Sequence, residues 1–297
     1  MYKLIAYAKL ARPHQYIKNG FIWIPIFFGY RLHDAQAVAK TFLTFVAFCL
    51  TASAMYVFND LRDVNEDREH PVKKFRPLAS GRISSFEAIL FLFVLLALSV
   101  CFCVFFIRTD VIIILAGYIL LNFAYSYKLK HFAVIDLICI SFGFVLRVFA
   151  GGLAAEVWVS HWLVLMIFLL AVFLVLTKRR DDLLLNASGR NCRKSLSGYN
   201  MEFVNFAMVS MSSVIIVCYI LYTVSPEVID KHGTDKLFLT TFWVIVGLLR
   251  YMQITFVEQK SGSPTLVVFK DCFMQAVIFL WVLHFYLILY VFRNGLP

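Results

Sequence analysis

Thr41-Phe42-Leu43-Thr44-Phe45-Val46-Ala47-Phe48-Cys49-Leu50-Thr51-Ala52-Ser53-Ala54-Met55-Tyr56-Val57-Phe58 runs without a break into Asn59-Asp60-Leu61-Arg62-Asp63-Val64-Asn65-Glu66-Asp67. The first part is nearly all apolar and close to the ~20 residues a membrane-crossing helix needs. The second part carries Asp60, Asp63, Glu66 and Asp67. An acid near the centre of such a helix costs at least ~2.5 kcal/mol, so acids at this place mark function by default. On a continuing helix, Asp60, Asp63 and Asp67 are three and four residues apart, which predicts one shared face. Oxygens gathered at a membrane surface suit a hard cation. Mg²⁺ completed by substrate phosphates is the usual case.

Working outward, apolar runs of similar length recur along the chain. They cover 19–31, 40–58, 86–107, 110–127, 133–150, 161–177, 203–224, 237–255 and 271–292. Of 297 residues 61% are apolar and 15% charged, and the mean hydropathy is +0.80. This composition excludes an ordinary soluble domain. The predicted fold class is an all-α integral membrane protein, a bundle of nine transmembrane helices with cytosolic polar loops. One polytopic domain is expected over 1–297, with an interfacial lead at 1–18 and polar active-site loops at 59–85 and 178–201. Pro25 interrupts the first span. Residues 1–18 lack the long apolar core and small-residue cleavage site of a signal peptide.

Charge orients the bundle. Numbering crossings from the N-terminus, Arg31, Lys40, Arg108, Lys231, Lys236 and Arg293 fall on one side and Arg147 within a helix. All the remaining Lys and Arg residues fall on the other side. The positive-inside rule places that richer side, with the N-terminus and the acidic motif, in the cytosol, and the C-terminus opposite. The same bias accounts for most of the net charge of +10. No base-reading motif or basic aromatic platform points to nucleic acid. The seven cysteines show no C-x-x-C pair and no Cys/His zinc spacing, which fits buried thiols. Nothing in the sequence sets an oligomeric state.

Four polar segments carry candidate chemistry. The first is Arg12-Pro13-His14-Gln15-Tyr16-Ile17-Lys18-Asn19, where Arg, Tyr and Lys also suit interfacial anchoring. The second joins the acidic motif to Arg68-Glu69-His70-Pro71-Val72-Lys73-Lys74-Phe75-Arg76-Pro77. Pro71 is expected to end the helix. A cation on Asp60, Asp63 and Asp67 would then bridge to phosphates held by Lys73, Lys74 and Arg76. The third is Tyr125-Ser126-Tyr127-Lys128-Leu129-Lys130, followed by Asp136 and Arg147. These two share a predicted helix face with Ile140 and Gly143, and an intramembrane Arg needs a polar cavity or a partner. The fourth is Thr177-Lys178-Arg179-Arg180-Asp181-Asp182, with Arg190, Arg193, Lys194, Ser195 and Tyr199 beyond it. Lys178 and Arg179 are candidate phosphate ligands. No G-x-S-x-G elbow, Walker loop or Rossmann fingerprint is present. Isolated His161 and His284 read as interface or packing residues.

These residues resemble a known group. Asn59-Asp60-x-x-Asp63-x-x-x-Asp67 is similar to the first aspartate-rich motif of the UbiA-type membrane prenyltransferase superfamily, and the likeness covers essentially the whole chain. Where ordinary members carry a second motif, D-x-x-x-D, this chain reads Lys178-Arg179-Arg180-Asp181-Asp182. It is most similar to the decaprenyl-phosphate phosphoribosyltransferase branch. Arg12, Pro13, Gln15, Lys18 and Asn19 match there, as do Arg68, His70, Pro71, Lys73, Arg76 and Pro77. Lys178 and Arg179 follow, then Arg193, Lys194, Ser195, Leu196 and Tyr199.

The resemblance implies transfer of 5-phosphoribosyl from phosphoribosyl diphosphate to a polyprenyl phosphate. Diphosphate is released, and the product serves lipid-linked pentose and cell-envelope polysaccharide synthesis. It implies an enzyme of the bacterial cytoplasmic membrane that uses Mg²⁺ bound by Asp60, Asp63 and Asp67. Asp60, Asp63 and Asn59 would be catalytic. Lys18, Asn19, Arg68, Lys73, Arg76, Tyr127, Lys130, Arg147, Lys178 and Arg179 would bind substrates. Only the soluble donor then carries a diphosphate that needs metal, which makes a second aspartate cluster dispensable. Two alternatives remain open. One is a UbiA-type aromatic or quinone prenyltransferase with a polyprenyl diphosphate donor, and the other a membrane transporter or lipid-binding protein.

Overall fold

The computed structural model describes residues 2–69, 72–187, 196, 198–259 and 264–291. Among them every regular element is helical. Helix α1 (Tyr2–Ala11) leads into a 3-10 helix (Pro13–Trp23) and α2 (Ile24–Phe28). Next come α3 (Ala35–Arg62), α4 (Val64–Glu69), α5 (Ser85–Phe106), α6 (Asp110–Tyr127) and α7 (Ile135–Ala155). The chain continues through α8 (His161–Ala187), α9 (Met201–Val224), α10 (Pro226–His232), α11 (Thr241–Phe256), α12 (Pro264–Lys270) and α13 (Cys272–Tyr286).

Among the described residues, eight helical stretches are long and apolar enough to cross a membrane, where nine were expected. The segment that differs is 19–31. Its residues split between the end of the 3-10 helix and the five-residue α2. Pro13 and Pro25 each remove a backbone donor near a helix start, and the chain turns at Gly29 and at Tyr30, whose φ is 58°. The loop expected from residue 178 also differs, because α8 continues to Ala187. Arg179, Arg180 and Asp181 lie buried on that extension. Their charges find partners within the protein, and Leu183, Leu184 and Leu185 are good helix formers. Helix α4 is described as far as Glu69, and the helix stop expected at Pro71 lies outside the described residues, as does His70. Arg190, Arg193, Lys194 and Ser195 lie outside them too.

The chain divides into two compact units. Unit 1 comprises Met1–Lys130 and Phe142–Val159, and unit 2 comprises His131–Ser141 and Ser160–Pro297. In unit 1, α3 and α5 pack through small residues. Thr51 Oγ1 and Ser99 Oγ lie 2.8 Å apart, and Ser99 donates to the Ala47 carbonyl at 2.8 Å. The 3-10 helix lies hard against α7. A Cβ on Gly151 would stand 2.0 Å from the Ile22 carbonyl oxygen, so only glycine fits there. Asp34 caps α3 at Gln36 N–H (2.9 Å), and Ser84 with Glu87 forms a capping box on α5. Unit 2 packs Leu137, Phe173, Leu176, Val204, Met208, Tyr251 and Met274 into one apolar cluster. Asn200 caps α9, and Asp271 caps α13.

Candidate active site

Helix α3 has 28 residues. At 1.5 Å per residue it is about 42 Å long, against a hydrocarbon core of ~30 Å. Its last turn therefore carries Asn59 to Arg62 beyond the apolar run. The helix stops at Asp63 (φ −95°, ψ 6°), whose N–H still bonds to the Asn59 carbonyl at 3.0 Å. Helix α4 restarts at once, with Asp67 N–H on the Asp63 carbonyl at 2.8 Å. This break corrects the expectation of one shared face, because the three carboxylates divide into a pair and a single.

Asp60 and Asp67 form the pair, each 2% exposed. The Arg76 Nη1 donates to both, to Asp60 Oδ1 at 3.1 Å and to Asp67 Oδ2 at 2.6 Å. Arg12 also donates to Asp60 Oδ1, and Lys73 Nζ stands 3.9 Å from Asp67 Oδ1. Asp63 is held separately. Lys130 Nζ donates to its Oδ1 at 2.6 Å and Asn59 Nδ2 to its Oδ2 at 3.0 Å. Asn59 is itself fixed, since Ser126 Oγ donates to its Oδ1 at 3.1 Å.

Arg12 reaches Asp60 from an unusual backbone. Its φ of 55° and ψ of 57° are left-handed, a conformation that costs a non-glycine residue energy and persists where the surroundings enforce it. The turn swings the chain from α1 into the 3-10 helix and lays the guanidinium over the Tyr56 ring, 5.2 Å from its centroid. Nearby, burial and then the positive Arg12 and Lys18 hold the His14 imidazole below its ordinary pKa.

A second polar cluster in unit 1 surrounds Arg147, which is buried. Its Nε donates to Asn19 Oδ1 at 2.7 Å, Nη1 to the Gly143 carbonyl at 2.6 Å, and Nη2 to Tyr118 Oη at 3.1 Å. The guanidinium lies 4.9 Å from the ring centroids of Phe48 and Tyr118 and 5.5 Å from that of Phe144. Aromatic faces and neutral oxygens thus stabilise this cation.

In unit 2, Arg179 bridges two acids. Its Nε and Nη2 lie 2.8 and 2.7 Å from Asp136 Oδ2, and its Nη1 donates to Asp182 Oδ2 at 3.0 Å. Tyr199 donates its hydroxyl to Asp136 Oδ1 at 2.6 Å and accepts the Val134 N–H at 2.6 Å. Val134 has a φ of 67°, a genuine outlier for a β-branched residue. Burial, then the bond to Asp136, push the Tyr199 hydroxyl above its usual pKa, so it stays a donor.

Residues 22–188 match the model of the UbiA prenyltransferase family. The chain is 32% identical over 285 residues to the decaprenyl-phosphate phosphoribosyltransferase of Mycolicibacterium smegmatis, covering 92% of this chain and 89% of that one. The chain belongs to the UbiA prenyltransferase family. The Corynebacterium glutamicum protein of the same name is 31% identical over 294 residues, 95% of this chain and 86% of its own. Among solved structures, a UbiA homolog from Archaeoglobus fulgidus bound to GPP and Mg²⁺ superposes with a TM-score of 0.70. It shares 20% identity and covers 96% of this chain and 100% of its own, a likeness of fold. This UbiA family member is therefore a multi-pass membrane enzyme.

In this UbiA chain, Asn59, Asp60, Asp63, Asp67, Lys73, Arg76 and Lys130 come together in unit 1. Asn19 and Arg147 form the separate buried cluster, and Lys18 is half-buried on the 3-10 helix. Arg68 is exposed on α4. Tyr127 is exposed too, its ring 4.9 Å from the Arg62 guanidinium. Lys178 is half-buried on α8, and Arg179 is bound to Asp136 and Asp182 in unit 2. The sequence reading gave no role to Ser126, Tyr118, Asp182 or Tyr199. Tyr118, Asn122 and Ser126 recur every fourth residue on the apolar α6, a polar stripe that would have revealed two of them.

Among the described residues, no three His, Cys, Asp or Glu side chains converge as a ready metal cage. The donor set nonetheless fits Mg²⁺. Asp60 and Asp67 already share one cationic nitrogen, a stand-in for a metal, and Mg²⁺ is commonly held by one or two carboxylates plus substrate phosphates.

Proposed function

We propose that this enzyme transfers 5-phosphoribosyl from phosphoribosyl diphosphate to a polyprenyl phosphate and releases diphosphate. The observation that carries the reading is the contrast in the partners of the acids. The pair Asp60 and Asp67 sits with Asp63 among Arg12, Lys73, Arg76 and Lys130, whereas Asp136 and Asp182 are bound to the buried Arg179. One acid group ringed by basic groups suits one diphosphate-bearing substrate. The names of the full-length relatives support the same chemistry. We place this cluster at the cytosolic face of a bacterial cytoplasmic membrane, on the asymmetry of Lys and Arg, since the chain between Arg12 at the Asp60 end of α3 and Asp34 at its other end still runs the length of that helix.

Asp60 and Asp67, with Asp63 beside them, would hold Mg²⁺, which would neutralise charge on the leaving diphosphate. Arg12, Arg76, Lys73 and Lys130 then orient phosphate oxygens around the donor. Asn59 keeps Asp63 in place through its bond to the carboxylate and its own anchor at Ser126. The lipid phosphate attacks the anomeric carbon from the face opposite the departing diphosphate. It is already an anion, so no side chain has to remove a proton. Arg179, held by two acids, supports the fold around Asp136 in this reading.

The test is purified protein in detergent with labelled phosphoribosyl diphosphate, Mg²⁺ and polyprenyl phosphates of several lengths. Lipid-linked phosphoribose is expected. Its absence at every length overturns the reading, and prenylation of an aromatic acceptor by a prenyl diphosphate would replace it.

A further inference from the structure

In the acid cluster of unit 1 every carboxylate already has a cationic partner without any ligand, with Lys73 as a fourth cation 3.9 Å from Asp67. Asp60, Asp63 and Asp67 are in direct contact with Arg12, Arg76 and Lys130. Asp60 and Asp67 are almost wholly buried. In such surroundings an unbalanced charge costs far more than in water. The Arg76 nitrogen stands between the two carboxylates that would hold a metal. Its side chain is 28% exposed and springs from the segment after a short 3-10 helix, so it has solvent and room to turn toward.

We propose that Arg76 is an exchangeable placeholder for the metal. It occupies the bridge between Asp60 and Asp67 in the free enzyme and leaves it for phosphate when metal and diphosphate arrive together. A divalent cation alone has to expel Arg76 and leaves that guanidinium with no anion. A diphosphate alone meets two buried carboxylates. When both bind, the metal takes the carboxylates and the diphosphate takes Arg76, so each charged group keeps a partner of opposite sign. Binding of each ligand is therefore coupled to binding of the other, and by linkage the coupling is reciprocal. The inference rests on the metal–diphosphate reading of this cluster, but not on the identity of the donor or acceptor.

The test is Mn²⁺ binding to the full chain in detergent, measured by equilibrium dialysis as the excess metal on the protein side, with and without inorganic diphosphate and without donor or lipid. Wild type should bind Mn²⁺ alone only weakly, with Kd on the order of 1 mM. Arg76→Gln should bind Mn²⁺ alone roughly tenfold more tightly, and should lose the further gain that inorganic diphosphate confers on the wild type. Lys73→Gln removes an equal charge from beside Asp67, and Arg76→Lys keeps a charge at the bridge. Each should change Mn²⁺ affinity by less than about threefold. Equal tightening in Arg76→Gln and Lys73→Gln would reduce the effect to general electrostatics and overturn the placeholder. A micromolar Mn²⁺ site in the wild type alone overturns it whether or not any variant folds. Because no donor is present, this failure is distinct from a failure to form lipid-linked phosphoribose.

Discussion

Two arginines in this protein each bridge a pair of aspartates, and they do opposite things. Arg76 joins Asp60 and Asp67 in unit 1, and Arg179 joins Asp136 and Asp182 in unit 2. Their side chains are 28% and 1% exposed, respectively. Arg76 comes from an irregular segment and meets both acids through one nitrogen. Arg179 comes from the body of α8, uses Nε and Nη2 on one side and Nη1 on the other, and is backed by Tyr199 on Asp136. The same ion-pair chemistry is therefore poised for exchange in one place and locked in the other. Freedom to reach solvent decides which.

The comparison breaks first at the chemistry. Asp60→Asn and Asp63→Asn should each lower formation of lipid-linked product by at least about 100-fold, since each removes charge aimed at the departing diphosphate. For Asp63→Asn, on the more exposed acid, the size-exclusion profile and thermal midpoint should stay close to wild type; retained turnover in that variant would remove the residue from the metal site. The locked bridge should fail differently. Arg179→Met leaves Asp136 buried without its cation and should cost about 3–5 kcal/mol, read as a lower thermal midpoint in detergent. The double change Arg179→Met with Asp136→Leu should recover much of that loss, and no recovery would show that the site is not a locked pair.

A smaller effect sharpens the contrast. Tyr199→Phe keeps the ring but strands the Val134 N–H and one oxygen of Asp136, so it should cost about 1–3 kcal/mol. Smallest is the pH response of Asp271. The Arg250 hydrogen bond holds this carboxyl below its usual range against the opposing effect of burial, with a lesser contribution from the α13 cap at Met274. A depressed acid contributes its stability above the ordinary carboxylate pKa of about 4 and loses it as pH falls through the lowered value. Acid titration of the thermal midpoint should therefore show a decline confined below that range. Asp271→Asn should flatten it, and an unchanged slope in that variant would assign the decline to other carboxylates.

Much of the fold was legible because a spanning helix is a long apolar run, and among the described residues eight such runs became helices, most of them near their expected limits. The segment 19–31 misled because its hydropathy is suitable while Pro25 and the turn at Gly29 and Tyr30 break one continuous α-helix. The limit at residue 177 misled for the opposite reason. Lys178 to Asp182 read as a loop by charge, yet buried pairing allows the helix to continue. At the candidate site, Asn59, Asp60, Asp63 and Asp67 stood out as acids and amide at the end of an apolar helix. Their division into a pair and a single did not, since it follows from the backbone break at Asp63.

The sequence by itself determined which chemistry this protein carries. Membrane-crossing length, the bias of Lys and Arg, and three aspartates at a helix end are local properties, set by residue type and spacing. Tertiary structure alone decided which charges meet. Asp136 and Arg147 are spaced to share a helix face, yet Asp136 is bound to Arg179 in unit 2, and Arg147 to Asn19, Gly143 and Tyr118 in unit 1. Helical periodicity tells where a side chain can face. Only the packed elements around a buried charge determine what compensates it, because its partners come from residues far away in the chain.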